Sequence, residues 1–254
     1  MSIKRNDLMQ HLNELLQPEK FKDYCPNGLQ VEGKSKIKKI VTGVTASQAL
    51  IDVAIAESAD AIFVHHGYFW RGENECVTGI KKKRLQALLA HDINLIAYHL
   101  PLDNHPTFGN NAQLAKILDL KIESGLDPND ASIPGQMGRL KTPMSARDFS
   151  ALLVERLQRE PMHLGPNPDA MIETIGWCTG GAQGYIQYAI DAGLDAYLTG
   201  EVSEPSYHLA VETGTHFFSA GHHATERYGA KAVGEHLRET FDIDVIFKDI
   251  DNPV

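Results

Sequence analysis

IVTGVTASQALIDVAIAESADAIFVHH, residues 40–66, and IGWCTGGAQGYIQYAIDAGLDAYLTGE, residues 175–201, align without a gap, and Ile40, Gln48, Ile51, Ala54, Ile55, Asp60 and Ala61 each meet an identical residue in the second copy. Each copy reads as an apolar run, an amphipathic stretch and a second apolar run, the pattern of a strand–helix–strand unit whose two strands lie parallel. A pattern that recurs at a fixed distance indicates one supersecondary unit used twice. The expected fold is therefore α/β, with two similar α/β domains related by an internal pseudo-repeat and mostly parallel sheets.

The same rhythm continues outward from both copies. After residue 66 come GIKKKRLQALLAH, INLIAY and NNAQLAKILDL; after residue 201 come SEPSYHLAVETG, HFFSA, ATERYGAKAVGEHLRETF and DVIFKDI. The division expected from this is a first α/β half over 1–121 and a second over 171–254. A short intervening segment, 122–170, is proline-rich and carries one helix, SARDFSALLVERLQ, with Ser145 as its N-cap. Within the repeat His66 lies opposite Glu201. Setting INLIAYHLPLD over HFFSAGHHATE puts His99 and Asp103 opposite His222 and Glu226. Open parallel α/β sheets place their sites beyond the carboxyl ends of the strands, so these positions are the candidates for chemistry.

Twelve histidines are present, and several gather at such ends: His65 and His66 in IFVHHGYFW, His99 and His105 in HLPLDNHP, His222 and His223 in GHHATER. In a regular strand adjacent side chains point to opposite faces, so His65 and His66 are expected to face different partners, one metal ion each. A helix beginning after Gly221 puts His222 and Glu226 on one face, an imidazole–carboxylate chelate for a first-row divalent ion, with Glu226 able to bridge two. The bland alternative is an exposed helix start with i,i+4 polar pairs. In 99–106, Pro101 and Pro106 are expected to keep the chain non-helical, and spacing does not choose among His99, Asp103 and His105. Two ions about 3.5 to 4 Å apart lower the pKa of a water and clamp both oxygens of a displacement. Mixed nitrogen and oxygen ligands without thiolate suit Zn, Mn, Fe, Co or Ni. Elsewhere, CTGGAQG (178–184) matches no nucleotide-binding pattern and reads better as tight packing than as an anion cradle. Tyr68, Phe69 and Trp70 read as core or subunit contact rather than as a stacking surface for a base.

The bulk properties narrow the classes. With 254 residues, 43% hydrophobic and 22% charged, the chain can bury a sizeable core. A formal charge of −9 argues against binding to a polyphosphate backbone, which clustered Lys and Arg drive. No apolar run reaches membrane-spanning length and MSIKRNDLMQHL lacks the features of a secretion signal. Cys25, Cys76 and Cys178 form no CxxC pair and fit reduced thiols, so the cytoplasm is the expected location.

Taken together, PNGLQVEG (26–33), KIVTGVTAS (39–47), VHHGYFW (64–70), YHLPLDNHP (98–106), GNNAQLA (109–115), TGE (199–201) and SAGHHATER (219–227) resemble the NIF-three-like family over nearly the full length. Bacterial members of that family are commonly named GTP cyclohydrolase 1 type 2 homologues. The resemblance implies two similar α/β domains around a dinuclear metal site, ligated by His65, His66, Asp103, His222 and a bridging Glu226, in toroidal homohexamers. The large inserted domain of many relatives is absent, since 122–170 is too short for it. The family name implies hydrolytic opening of the guanine imidazole ring of GTP with loss of formate, and a role with damaged nucleotides has been suggested. By position, Glu201 and His99 are the candidates for moving protons in such a reaction. The competing expectation is a metal-binding ring or interaction scaffold without turnover; a nucleic-acid partner is disfavoured by the charge.

Overall fold

The computed structural model describes residues 1–254. In chain order the first elements are β1 (Ile3–Lys4), α1 (Arg5–Leu16), β2 (Gly28–Val31), β3 (Lys36–Ile37), β4 (Lys39–Thr45), α2 (Gln48–Ala56) and β5 (Ala61–His66). Next come α3 (Gly79–Ala90), β6 (Asn94–Ala97), α4 (Leu100–Asn104), α5 (Asn110–Ile117), β7 (Leu120–Gly125), β8 (Gln136–Ser145), α6 (Ala146–Leu157) and β9 (Met162–Leu164). The chain ends with β10 (Met171–Cys178), α7 (Ile186–Asp191), β11 (Ala196–Thr199), α8 (Glu204–Thr213), β12 (His216–Ser219), α9 (His222–Phe241) and β13 (Asp244–Phe247). The chain is α/β, as the alternation of apolar runs implies.

Two compact units are present, one of residues 1–108 with 229–251 and the other of 109–228 with 252–254. In the first, a five-stranded sheet has the order β13-β4-β5-β6-β2, parallel except for β2. Its interior holds Ile40, Phe63, Ile96 and Tyr98 on one side and Val41, Ile62, Val64 and Leu95 on the other. Both faces are apolar, as a sheet covered on both sides by helices requires. In the second unit a six-stranded sheet has the order β7-β8-β10-β11-β12-β9, with β10, β11 and β12 parallel and the other pairings antiparallel.

The repeat is visible in the bonds made by its one identical acid. The Asp60 carboxylate accepts from the backbone N–H groups of Lys38 and Lys39 at 2.8 and 3.1 Å. Asp195 accepts from the N–H groups of Glu173 and Thr174, the corresponding pair, at 3.0 and 2.8 Å. Each acid stands just before the second strand of its repeat, β5 or β11, and accepts from backbone N–H groups of the preceding segment, at the head of β4 or within β10.

Four expectations are corrected. The boundaries at 121 and 170 both fall inside the second unit: far from being a linker, 122–170 supplies most of β7, all of β8 and β9, and α6. Its prolines mislead because Pro143 sits where the β8–β10 register shifts, a bulge that tolerates a residue without an N–H. The last strand, β13, adds to β4 of the first unit, carried there by the 20-residue α9. Pro101 does not prevent a helix, since it lies in the first turn of α4, where a missing N–H costs nothing. Finally, the second alignment slips by one: strand register places Asn94 beside Ala61 and His216 beside Ala196, so Asn94, not Ile93, corresponds to His216. Ser145 caps α6 as expected, accepting from Asp148 N–H at 3.1 Å.

Candidate metal centre

In the first unit the donors collect at the carboxyl end of β5 and in the turn after β6. His65 is fully buried and its Nδ1 lies 3.1 Å from the Tyr98 carbonyl. A carbonyl can only accept, so Nδ1 carries the proton and Nε2 the lone pair in the neutral ring. That Nε2 is 3.5 Å from Oδ1 of Asp103, itself buried on α4. In that neutral tautomer the lone pair faces a carboxylate oxygen, and a cation held by both would make them a metal ligand pair.

His66 is half-buried, with Nδ1 3.3 Å from the Thr45 hydroxyl. The rings of His65 and His66 do not face apart: their centroids are 4.4 Å from each other. The strand ends at His66 and Gly67 follows without a side chain, so the strict alternation of a strand interior no longer holds the two rings apart. His99 completes the group. One donor nitrogen from each of His65, His66 and His99 lies within 4.8 Å of the others, a grouping able to hold a metal ion.

Behind His99 stands Asp23, which no sequence motif singles out. Its carboxylate accepts from His99 Nδ1 at 2.7 Å, from Asn27 at 2.9 Å and from the Leu100 N–H at 2.9 Å. Burial alone would raise the Asp23 pKa, but these donors, His99 foremost, hold it at about 2. Asn27 also accepts from the His99 N–H at 2.7 Å. The PNG motif at 26–28 is visible in the sequence, but nothing in its spacing links Asp23 to a residue 76 positions away. Cys25 is close enough to Asp23 and His99 to share a ligand group with them. Burial, with the charge of Asp23, pushes its thiol up to about 12, so it stays protonated and unreactive at neutral pH.

In the second unit the donors are His222, Glu226 and Glu201. α9 begins at His222, so His222 and Glu226 share a face, with Nε2 to Oε2 at 3.2 Å. On its other side His222 Nδ1 meets Glu201 Oε1 at 2.7 Å. Burial would lower the His222 pKa; the carboxylates of Glu226 and Glu201 outweigh it and raise the pKa to about 9. An imidazole held through Nδ1 by one carboxylate and aimed through Nε2 at another has the form of an oriented metal ligand. Glu201 is thus in contact with His222, while Glu226 is almost wholly buried.

The glycine-rich 178–184 stretch serves packing. Gly180 has φ +70°, and a Cβ there would come 2.0 Å from Glu226 Oε1. Its N–H is taken by the Thr225 hydroxyl at 3.0 Å rather than offered to an anion. Tyr68 is core, its hydroxyl donating to the Ala46 carbonyl at 2.7 Å, whereas Trp70 stands beside His99 with ring centroids 4.9 Å apart. His105 and His223 lie outside these groups: His105 Nδ1 accepts from the Phe108 N–H at 2.9 Å, and the His223 N–H donates to the Val254 carbonyl at 2.9 Å.

Residues 3–253 match the family described as Duf34/NIF3 (NGG1p interacting factor 3). The chain belongs to the Duf34/NIF3 family. A Haemophilus influenzae member named GTP cyclohydrolase 1 type 2 homolog is 57% identical over 97% of this chain and 98% of its own length. Among solved structures, protein ybgI, of unknown function, is 49% identical with a TM-score of 0.95, covering 99% of this chain and 100% of that one. A Thermus thermophilus protein is 31% identical with a TM-score of 0.89 and the same coverage. These Duf34/NIF3 matches run end to end, so the short 122–170 segment is shared rather than a truncation peculiar to this chain. No helix is long and apolar enough to cross a membrane.

Proposed function

We propose that this Duf34/NIF3 member is a metal-dependent hydrolase of a nucleotide or related small phosphorylated compound. On this reading His65, His66, Asp103, His222 and Glu226 would hold two divalent ions. One observation carries it: in each unit an imidazole Nδ1 is held by an oxygen acceptor while its Nε2 is aimed at a buried carboxylate, His65 at Asp103 and His222 at Glu226. Bound ions of this kind supply Lewis acidity and make a water acidic enough to attack at neutral pH. The chain's own groups orient and move protons. Asp23 fixes the ring of His99, and Glu201 fixes the ring of His222. His99, which neighbours the His65 and His66 rings, is the better placed of the two proton-transfer candidates, because Glu201 already serves His222.

The named chemistry of the H. influenzae relative makes opening of the GTP imidazole ring with release of formate the first reaction to try, and oxidised or otherwise damaged nucleotides the next. Protein reconstituted with Mn, Zn, Fe or Co, beside Glu226→Ala, is expected to release formate from GTP or product from another nucleotide, and the variant none. No formate from GTP ends the cyclohydrolase assignment; no turnover of any compound by metal-loaded protein ends the hydrolase reading. A second reading, a metal-binding scaffold without turnover, is favoured by the burial of His65, Asp103 and Glu226, since structural metals sit in closed sites. It predicts that Glu226→Ala breaks assembly and leaves no activity to lose. The proposal includes a cytoplasmic toroidal homohexamer, checked by light scattering and fractionation.

A further inference from the structure

Beside the three-histidine group of the first unit stands a small aromatic and cationic surface to which no role has been given. Trp70 is partly exposed, with its ring edge-on to His99 at 4.9 Å and 5.9 Å from His66. Tyr24 is 56% exposed and also edge-on to His99, at 6.4 Å. The Arg71 guanidinium lies 5.8 Å from the centre of the Tyr24 ring.

The Trp70 and Arg71 side chains and the Tyr24 backbone are held by hydrogen bonds. Trp70 Nε1 donates to the Gly67 carbonyl at 3.2 Å, and its backbone N–H donates to Glu73 at 3.1 Å. The Arg71 N–H donates to the Tyr24 carbonyl at 2.7 Å and its side chain to the Asp23 carbonyl at 3.1 Å, tying the 23–24 and 70–71 loops together. Phe69, just before them, has φ +65°, a left-handed backbone that bulky residues avoid. The strain turns the chain so that Tyr68 and Phe69 pack inward while Trp70 emerges at the histidines. Large aromatic rings normally bury themselves. Two on hydrogen-bonded loops beside a histidine cluster, with a cation alongside, have the composition of a surface that stacks a flat ring and meets an anion.

We propose that Trp70 and Tyr24 form a stacking subsite for a purine-sized planar heteroaromatic ring, with Arg71 receiving a phosphate attached to it. The subsite rests on the hydrolase reading for its purpose, naming the substrate class of that site, but its binding is measurable without turnover. The chain's only other tryptophan, Trp177, is fully buried in the second unit and serves as an internal control. Titrate metal-stripped protein with guanosine, GMP and ribose 5-phosphate, following indole emission excited on its red edge and heat by calorimetry.

Guanosine and GMP are expected to quench saturably, and ribose 5-phosphate not. Trp70→Phe should keep the affinity by calorimetry while its residual Trp177 emission ignores the nucleotide. Trp70→Ala and Tyr24→Ala should each weaken GMP about 5- to 150-fold, the range for losing one base–aromatic stack. Arg71→Ala should erase the preference for GMP over guanosine. An unshifted Trp177 emission maximum and melting curve shows that a variant is folded. The subsite is overturned if no purine quenches saturably, if ribose 5-phosphate binds as tightly as GMP, or if folded Trp70→Ala binds GMP unchanged. GMP binding intact in protein that turns over nothing would strike the hydrolase reading alone; turnover intact with no stacking would strike this one alone.

Discussion

At the end of β5 the first unit carries His65 and His66; the corresponding positions after β11 in the second carry Gly200 and Glu201. In the first unit the imidazoles of His65 and His66 come from the strand, that of His99 from the turn after β6, and the buried carboxylate, Asp103, from the short helix that follows. In the second, His222 and Glu226 both come from α9, and the strand end recedes to make room. A Cβ on Gly200 would lie 2.6 Å from the His222 Cα, and one on Gly180 would run into Glu226. Thr45, the counterpart of Gly180, instead uses its side chain against His66. The duplicated scaffold keeps its structural acid, Asp60 or Asp195, and lets the donors change element. Equivalent places in a repeat therefore need not hold equivalent ligands.

That contrast can be broken first where the second unit has no space. Gly200→Ala should destabilise the protein by about 3 kcal/mol in urea unfolding, because overpacking there pushes on backbone rather than on a flexible side-chain tip. A loss under about 1 kcal/mol would mean that the strand end does not need to recede. Next, Glu201→Gln should weaken metal affinity about 10- to 100-fold, the usual cost of losing the acceptor behind a ligating imidazole. Competition titration with a chelator measures this, and unchanged affinity would remove Glu201 from the support of His222.

The shared acids sharpen the comparison. Asp60→Ala and Asp195→Ala should each cost about 1 to 3 kcal/mol, since each leaves two backbone N–H groups short of an acceptor. Costs differing by more than about 1.5 kcal/mol would show that the two positions are not doing the same work. In both acids burial favours the neutral form, but the donors around the carboxylate win and the pKa is lowered. A lowered folded-state pKa contributes stability that is present above the unfolded value, about 4, and lost as pH falls through the folded one. Wild-type stability should therefore fall below about pH 4, less steeply in Asp60→Asn and Asp195→Asn. An identical slope would contradict the pairing. The smallest effect belongs to His208→Ala, which removes an exposed 3.5 Å pair with Glu204 and an edge-on contact with the exposed Tyr207 ring and should change stability by under about 0.5 kcal/mol.

Much of this is legible in the sequence. The repeat and the alternation of runs announce the α/β class, and the four-residue spacing of His222 and Glu226 announces their shared face. What stays hidden has identifiable causes. A lone apolar strand such as DVIFKDI does not say which sheet it will extend, so β13 reads as part of the second half although it pairs with β4. Proline reads as a breaker, yet Pro101 sits in a first turn and Pro143 in a bulge, the two places where its missing N–H does no harm. Pleat alternation predicts that His65 and His66 part company, but it governs the strand interior and not its last residue. Asp23 is invisible because its role exists only through His99, far away in the chain.

The account depends on the imidazole–carboxylate groups being metal ligands, and metal analysis tests that most directly. Elemental mass spectrometry of the wild type after reconstitution with one divalent metal at a time, dialysed free of excess, is expected to find about two ions per chain. His65→Ala and His222→Ala, each still folded, should retain fewer. A wild type that holds no transition metal above background, or variants that keep the full complement, would contradict it.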